Sequence, residues 1–446
     1  TDLYSPILWN AELNMPRYNM DWKNVLIRDA AYWQKYAVGF SGGNEKGDYY
    51  INLSYENRNG ILINTDFSRL TLSSNVNYSI KKNIKIGLTT NISYTENSGI
   101  SGLNDRFGTF MPTVYHQPWI PGYDENGELI VARYMYKVDP AWNLAPIANN
   151  YSAENQLYDV LTQSHTGATQ RMISNFYFDW KPIEGLSLKT NIGFDLSSRK
   201  NKDIQYLQEK KYLEVNDPNA RDLVSTQVHF TQNRNWVMNE TVTYDKVFGK
   251  HSLNATGVFE VQENFSEFLR LKASGSTDND LDQISNQPTT DILSENGNVK
   301  NPRDFSGAPD GRLRLASFMF RVNYAFDDRY LLTATVRRDG TSRFAKGNRW
   351  GTFPSVAASW KINHEHFWEK MPEFFNSLKL RTSYGMTGNQ ASIASFMYLS
   401  QIGLGSGNWG TIYTPSNIAN PDLTWESLKQ FNVGLDFGFF NNRLLS

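Results

Sequence analysis

Apolar and polar residues alternate one by one along most of this chain. From 70 to 80, Leu70, Leu72, Val76, Tyr78 and Ile80 share one parity, and Arg69, Thr71, Ser73, Asn75, Asn77 and Ser79 share the other. A period of two sends successive side chains to opposite faces of an extended chain, so the pattern predicts half-exposed β-strands. After Lys81-Lys82-Asn83 the alternation resumes over 84–94. It recurs over 49–55, 174–180, 186–196, 236–244, 253–261, 318–324, 330–336, 356–362, 378–384 and 431–437, and more weakly over 36–40. About thirteen strands and almost no helical periodicity are therefore expected, an all-β chain.

The connections alternate as well. Those at 81–83, 181–185, 248–251 and 326–329 are short and turn-like. Between them lie long polar stretches rich in Gly, Asn and Asp, at about 96–165, 197–226, 264–315 and 387–426. Short on one side and long on the other is the connectivity of an up-and-down antiparallel transmembrane β-barrel. One connection departs from it: 364–376 lies on the short side and is expected to form a small amphipathic helix.

The two faces differ in chemistry. On the apolar face, aromatics gather near the short-turn ends: Tyr78, Trp180, Tyr244, Tyr324, Tyr330, Trp360 and Phe437. Rings sorted by height mark a membrane interface, whereas a soluble sandwich has no reason to sort them. The opposite face carries Lys85, Lys189, Glu260, Arg321, Asn323, Arg337, Lys361, Arg381 and Asp436, which suit a wet or plugged lumen better than a dry core. Backbone groups at membrane depth must all be paired, so the sheet has to close. About thirteen strands with open edges call for further strands, and the chain is expected to be an internal piece of a longer protein. No signal-like segment follows Thr1.

Composition narrows the partners. Lys and Arg number 44 against 45 Asp and Glu, a balance that argues against a nucleic-acid binder. Mean hydropathy is −0.53, and no apolar run approaches the roughly 18 residues of a membrane-spanning helix. Aromatics make up 14% of residues, too many for a disordered chain, and the absence of cysteine rules out thiolate chemistry.

Several segments resemble the SusC/RagA-type TonB-dependent transporters of Bacteroidota outer membranes. They are Ser41-Gly-Gly-Asn-Glu-Lys46, YLLTATVRRDGTSRF at 330–344, NRWGTFPSVAASW at 348–360, LKLRTSYGMTGNQ at 378–390 and NPDLTWESLKQFNVGLDFGFFNNRL at 420–444. The resemblance covers essentially residues 1–446, taken as one domain, and implies part of a 22-stranded barrel that is closed only by strands outside this chain. It also implies a plug, an N-terminal carboxypeptidase-like domain and a TonB-contacting segment, none of them visible here. The implied activity is TonB-dependent import of glycans or peptides across the outer membrane, with a SusD-like lipoprotein as lid. A passive porin and a soluble all-β carbohydrate-binding protein or glycosidase are the alternatives.

No enzyme site is expected. There is no G-x-x-x-x-G-K-[ST] loop to cradle phosphates, and His116, His165, His229 and His251 are scattered. Asp278-x-Asp280-x-Asp282 has the oxygen spacing of a calcium loop but lacks its glycine and carries Thr289 where the closing Glu belongs, so it reads as a solvated acidic loop. His364-Glu365-His366 puts two imidazoles on different helix faces. Neither a metal nor a cofactor is expected. Arg321, Arg337 and Arg381 are expected to pair within the lumen or to steer solute. Substrate contacts are expected from loop aromatics, foremost Tyr115, Trp119, Trp142, Trp350 and Trp409, with Tyr123, Tyr134, Tyr136, Tyr398 and Tyr413 beside them.

Overall fold

A computed structural model of the chain describes residues 18–99, 163–205, 224–276, 303–372, 374–393, 396–407 and 410–440, with a few isolated positions outside them. Thirteen long strands form one antiparallel meander. They are β1 Trp33–Asn44, β2 Gly47–Asn59, β3 Asp66–Lys81, β4 Ile84–Gly99, β5 Gln163–Trp180, β6 Leu186–Gln205 and β7 Val224–Phe248. The meander continues with β8 His251–Ser276, β9 Arg303–Phe326, β10 Tyr330–Thr341, β11 Trp350–Lys361, β12 Phe375–Asn389 and β13 Glu426–Phe439. Each pairs with its neighbours in sequence, a short Leu444–Leu445 segment adds to β13, and β1 is not joined to the far edge. All thirteen expected strands are present, in the expected order, in an open sheet.

The register is sheared. One rung of partners runs from Gly47, the first residue of β2, through Tyr78, Ile86, Phe178, Thr190, Glu240, Phe259 and Phe318 to Arg338 and Thr352. It starts at the short-turn end and emerges close to the long-connection end of β10 and β11. A stagger of this kind is what allows a sheet to close into a barrel. It also brings the seven sorted aromatics to a common level near the short turns, although they lie on different rungs.

Several strands outrun their alternation. β7, β8 and β9 have 25, 26 and 24 residues, more than twice the roughly 9–11 that a tilted strand needs to cross a bilayer. Much of the stretches expected as loop at 197–226 and 264–315 is therefore hydrogen-bonded ladder. The small helix expected at 364–376 is instead two 3-10 turns, Ile362–His364 and His366–Lys370. Met371-Pro372 stops the segment, since the residue before proline is steered to extended backbone.

Among the described residues the sheet packs no dry interior of its own. Leu72 is 39% exposed and Val433 64%, and the apolar face lies open from β1 to β13. The compact apolar core lies beside the long-connection end instead. There the helix α1 (Trp22–Leu26), capped by Asp21, packs Trp22 and Leu26 against Leu62, Leu157 and Val160. Arg28 fastens this clasp, donating to the carbonyls of Gly60 and Thr65 and to Asp66.

Candidate functional site

The polar face is built as a series of cross-strand hydrogen bonds. Near the short turns Asn77 donates to Asp48 (2.9 Å), and the Tyr177 hydroxyl donates to Asn77 (3.0 Å). Tyr177 lies flat because its neighbour is Gly87, where a Cβ would meet the ring at 2.1 Å. Lys189 sits over the same ring, 5.2 Å from its centre. Further along, Asn191 bonds Asn239, while Asn254, Asn323 and Thr333 form a chain at 3.0 and 2.9 Å. These amides satisfy one another and leave capacity for solvent or solute.

The lumen-parity arginines resolve into pairs. Arg337 binds Asp339 at 2.8 Å and Ser317 at 3.2 Å, with Glu260 3.9 Å away. Arg381 binds Asp436 at 2.9 Å, and Arg171 forms a two-point pair with Asp195. Arg321 binds a hydroxyl, that of Thr335, at 3.1 Å. Pairing thus accounts for Arg337 and Arg381, two of the three arginines singled out in the sequence.

Two places on this face combine shape with chemistry. A shallow hollow of about 200 Å³ lies over β10–β13, where Ala357 and Gly385 leave room and Thr333, Ser355, Ser383 and Gln430 turn hydroxyls and an amide inward. It is neutral and hydrogen-bonding. The second place, at the long-connection end of β1–β3, is charged. Glu56 is only 3% exposed and accepts from Trp33 (3.0 Å), Arg69 (2.8 Å) and Arg58. Arg58 also stacks over Trp33 and Phe67. Sequence reasoning missed this cluster because its members lie on three strands and only pairing brings them together.

The expected loop aromatics divide sharply. Trp350 is the first residue of β11 and has apolar-face parity. It lies over Gly340 with Phe318 6.1 Å away and the Arg338 guanidinium 5.5 Å away. It stands with the rings of the apolar face rather than over the polar one. Tyr413 is 74% exposed on a hairpin (Gln401–Gly407 with Gly410–Asn417), Tyr398 is half-buried just before it, and Tyr123 is exposed. Tyr115, Trp119, Tyr134, Tyr136, Trp142 and Trp409 lie outside the described residues, as do His116 and Asp278, Asp280 and Asp282.

Four of the described histidines are individually occupied. His165 pairs with Asp203, His364 lies 3.6 Å from Asp328, and His366 bonds Glu369. His251 belongs to a ring ladder along the short-turn end. Phe248, His251, Phe326, Tyr330 and Trp360 follow one another at 5.0–6.4 Å across β7–β11. Glu365 closes this ladder, accepting from the Tyr330 hydroxyl (2.6 Å), the Trp360 indole (3.0 Å) and Arg329 (3.2 Å). The Tyr330 and Trp360 hydrogen bonds, followed by the Arg329 charge, hold the Glu365 carboxyl below the usual carboxylate range. On the neighbouring turn, Lys361 lowers Asp328 in the same sense.

At the opposite end the quoted motifs converge on a knot. Arg343 donates to the carbonyls of Gln390 (3.1 Å), Ala391 (3.2 Å) and Ile393. Phe344, fully buried, packs edge-on to Trp425, whose indole donates to the Arg349 carbonyl at 3.0 Å. Phe353 fits beneath Trp425 because Gly351 and Gly388 leave space for its ring.

Comparison with known proteins gives a consistent outcome. Residues 120–446 match the family described as TonB dependent receptor-like, beta-barrel. TonB-dependent receptor P39 of Formosa agariphila is 31% identical over 418 residues, covering 91% of this chain and 36% of that protein. TonB-dependent receptor SusC of Bacteroides thetaiotaomicron is 27% identical over 464 residues, covering 99% of this chain and 43% of SusC. Among solved structures, one titled "Structure of the RagAB peptide transporter" superposes with a TM-score of 0.73 at 22% identity, over 96% of this chain and 45% of that one. The chain thus spans about two fifths of the length of the curated relatives it matches. With its open, sheared, face-sorted sheet, it belongs to the TonB-dependent receptor family, with SusC among its relatives, and forms part of the family's β-barrel wall.

Proposed function

We propose that the full-length protein carrying this chain imports an oligomeric polar nutrient, a glycan or a peptide, across the outer membrane of a Bacteroidota-like cell. The observation that carries this reading is the contrast between faces. One face is apolar and belted with rings, and the other is lined with amides, hydroxyls and paired charges. A solute rich in hydroxyl or amide groups exchanges hydrogen bonds with such a wall without paying to desolvate a lone charge. Energy comes from TonB through segments outside this chain, and a SusD-like lipoprotein closes the outer mouth over the long connections. Tyr115, Trp119, Trp142 and Trp409 are the proposed loop contacts with the solute or the lid. Trp350, by its parity, is assigned to the lipid interface instead.

The test is uptake of fluorescent oligosaccharide and oligopeptide pools by cells expressing the full-length protein, with and without an uncoupler of the proton gradient. The expected result is accumulation of one pool that stops when the gradient collapses. Accumulation that persists in uncoupled cells means passive diffusion and overturns the energised reading. Ser383→Leu, which fills the hollow beside Gly385, is expected to lower uptake several-fold while leaving the barrel heat-modifiable on electrophoresis.

A further inference from the structure

Two adjacent rungs of the polar face hold a small lattice of rings and charges at the long-connection end of β1–β3. On one rung Trp33, Arg58 and Phe67 stand side by side, and on the next Lys35, Glu56 and Arg69 do. The Arg58 guanidinium lies 4.9 Å from the Trp33 ring centre and 5.7 Å from that of Phe67, and Arg69 lies 5.7 Å from the same Phe67 ring. Glu56 holds three of the six in place. Its Oε1 takes the Trp33 indole N–H at 3.0 Å together with Arg58, and its Oε2 takes Nη2 of Arg69 at 2.8 Å. Trp33 is nonetheless 66% exposed, so a ring fixed by a buried carboxylate still offers most of its surface.

The charges on these two rungs do not cancel. Arg58 and Arg69 share the single Glu56 carboxylate, and Lys35, exposed, forms no ion pair among the described residues. Asp66 and Glu96 have the opposite parity and are held by Arg28 and by the Tyr94 hydroxyl. Asp29, on the lead-in to β1, is in ion-pair contact with none of the three cations. Asp195 and Asp203 share the parity but stand on β6, three strands beyond β3, paired with Arg171 and His165. Three cations against one carboxylate leave two positive charges in excess. On β4 the same rungs continue with Asn97 beside Phe67 and Thr95 beside Arg69, uncharged groups that hydrogen-bond. The lattice is roughly 10 Å wide and 7 Å tall, from the spacing of strands and of same-face residues.

We propose that this corner of the wall binds an acidic unit of an oligosaccharide, the sugar face against Trp33 and its anionic group, a carboxylate or a sulfate ester, on Arg58, Arg69 and Lys35. Glu56 engages Nε and Nη2 of Arg58 and Nη2 of Arg69, which leaves Nη1 of Arg58 and Nε and Nη1 of Arg69 for a ligand. Guanidinium groups bind oxyanions through short, charge-assisted hydrogen bonds. A neutral glycan would use the ring and leave the excess charge unmatched, and an acidic peptide would use the cations without needing the indole. A strand added beside β1 to close the barrel pairs with its backbone edge and leaves its inward side chains open. The inference deepens the function proposed above and rests on the polar face being the wall that meets the solute.

The experiment measures binding to the full-length protein in a neutral maltoside detergent by isothermal titration calorimetry. The probes are a trigalacturonate, its fully methyl-esterified form, a sulfated galactotriose, the same galactotriose without sulfate, and a triglutamate peptide. At least one acidic sugar is expected to bind about tenfold or more tighter than its uncharged counterpart, since a charge-assisted hydrogen bond is worth a factor of that order. Lys35→Gln with Arg69→Gln is expected to erase that preference while Arg58 still holds Glu56. Trp33→Ala, at an exposed position, is expected to weaken the acidic sugar several-fold. Binding of neither acidic sugar, equal binding of charged and uncharged forms, or an acidic preference unchanged in the double variant each overturns the proposal. So does an unaltered affinity in Trp33→Ala, and so does triglutamate bound as tightly as the acidic sugars, which would make an acidic peptide the occupant. Gradient-dependent uptake without any acidic preference sinks this inference and leaves energised import standing, whereas uptake that persists in uncoupled cells does the reverse.

Discussion

The two ends of this sheet are held by different means. At the short-turn end of β7–β11, contacts join adjacent strands. The ring ladder from Phe248 to Trp360 joins adjacent strands, and Glu365 reaches Trp360 only five residues away. At the long-connection end of β10–β13, contacts skip a strand, joining the segment before β11 to the one before β13. Asn348 reaches the Pro421 carbonyl across 73 residues and Trp425 reaches Arg349 across 76. Short turns bring neighbouring strands together at little entropic cost, so rings and one carboxylate suffice. Long connections lose more freedom on closure, and that end needs buried aromatics and an arginine to draw separate loops into one body.

Phe344→Ala breaks the outer knot most severely. A fully buried phenylalanine replaced by alanine costs about 3–5 kcal/mol, through lost transfer energy and the cavity left against Trp425. Proteolysis at 342–349 and 420–425 is expected to accelerate strongly, while the inner ring ladder keeps its protection. Loss of protection at both ends together would mean that the two ends form one cooperative unit, and the contrast drawn here would fail.

Arg343→Lys is the next largest. One guanidinium nitrogen serves carbonyls at 390, 391 and 393, and hydrogen bonds of a charged group contribute about 1.5–3 kcal/mol before allowance for partial exposure. An ammonium on a flexible stem is not interchangeable with that planar fork. Amide hydrogen exchange across 389–393 is expected to rise in Arg343→Lys nearly as much as in Arg343→Ala. Full protection in the lysine variant would reduce the staple to simple charge.

The same contrast governs what could be read in advance. Thirteen strands were legible because within the apolar band one parity is apolar and the other polar. The full length of β6 and β7 was not: Ser197–Gln205 and Gln227–Asn235 carry polar residues on both parities, so the ladder continues after the alternation has ended. Trp350 looked like a loop aromatic because its flanks, Asn348-Arg349 and Gly351, are turn-like. Only the pairing with Gly340 places it on a strand and fixes its face. Glu365 drew notice as the centre of a histidine pair, yet its partners are Tyr330 and Trp360, whose reach depends on the 3-10 turn. Arg343 and Trp425 act through residues tens of positions away, where no periodicity signals them. Family motifs marked the knot at 342–349 and 420–425 without saying what those residues do.

The smallest expected effect is also the most selective for the inner end. Glu365 is held below the ordinary carboxylate range by the hydroxyl of Tyr330, the indole of Trp360 and the charge of Arg329. A carboxyl whose folded value is depressed stabilises the fold above its unfolded value, and that contribution drains away as the pH falls through the lower folded value. The tie to the ring ladder is therefore expected to be intact at neutral pH and to loosen only below the usual carboxylate range. Asp327, lowered by Lys250, and Asp328, lowered by Lys361, should follow in the same window and the same direction. Exchange of the Trp360 indole proton, followed by nuclear magnetic resonance as the pH is lowered, reads this out. Glu365→Ala is expected to speed that exchange at neutral pH and to flatten its acid dependence, leaving the Trp425 indole at the opposite end unchanged. An acid response of Trp425 that tracks Trp360 would show the ends to be coupled through the strands, and local closure would no longer explain the inner end.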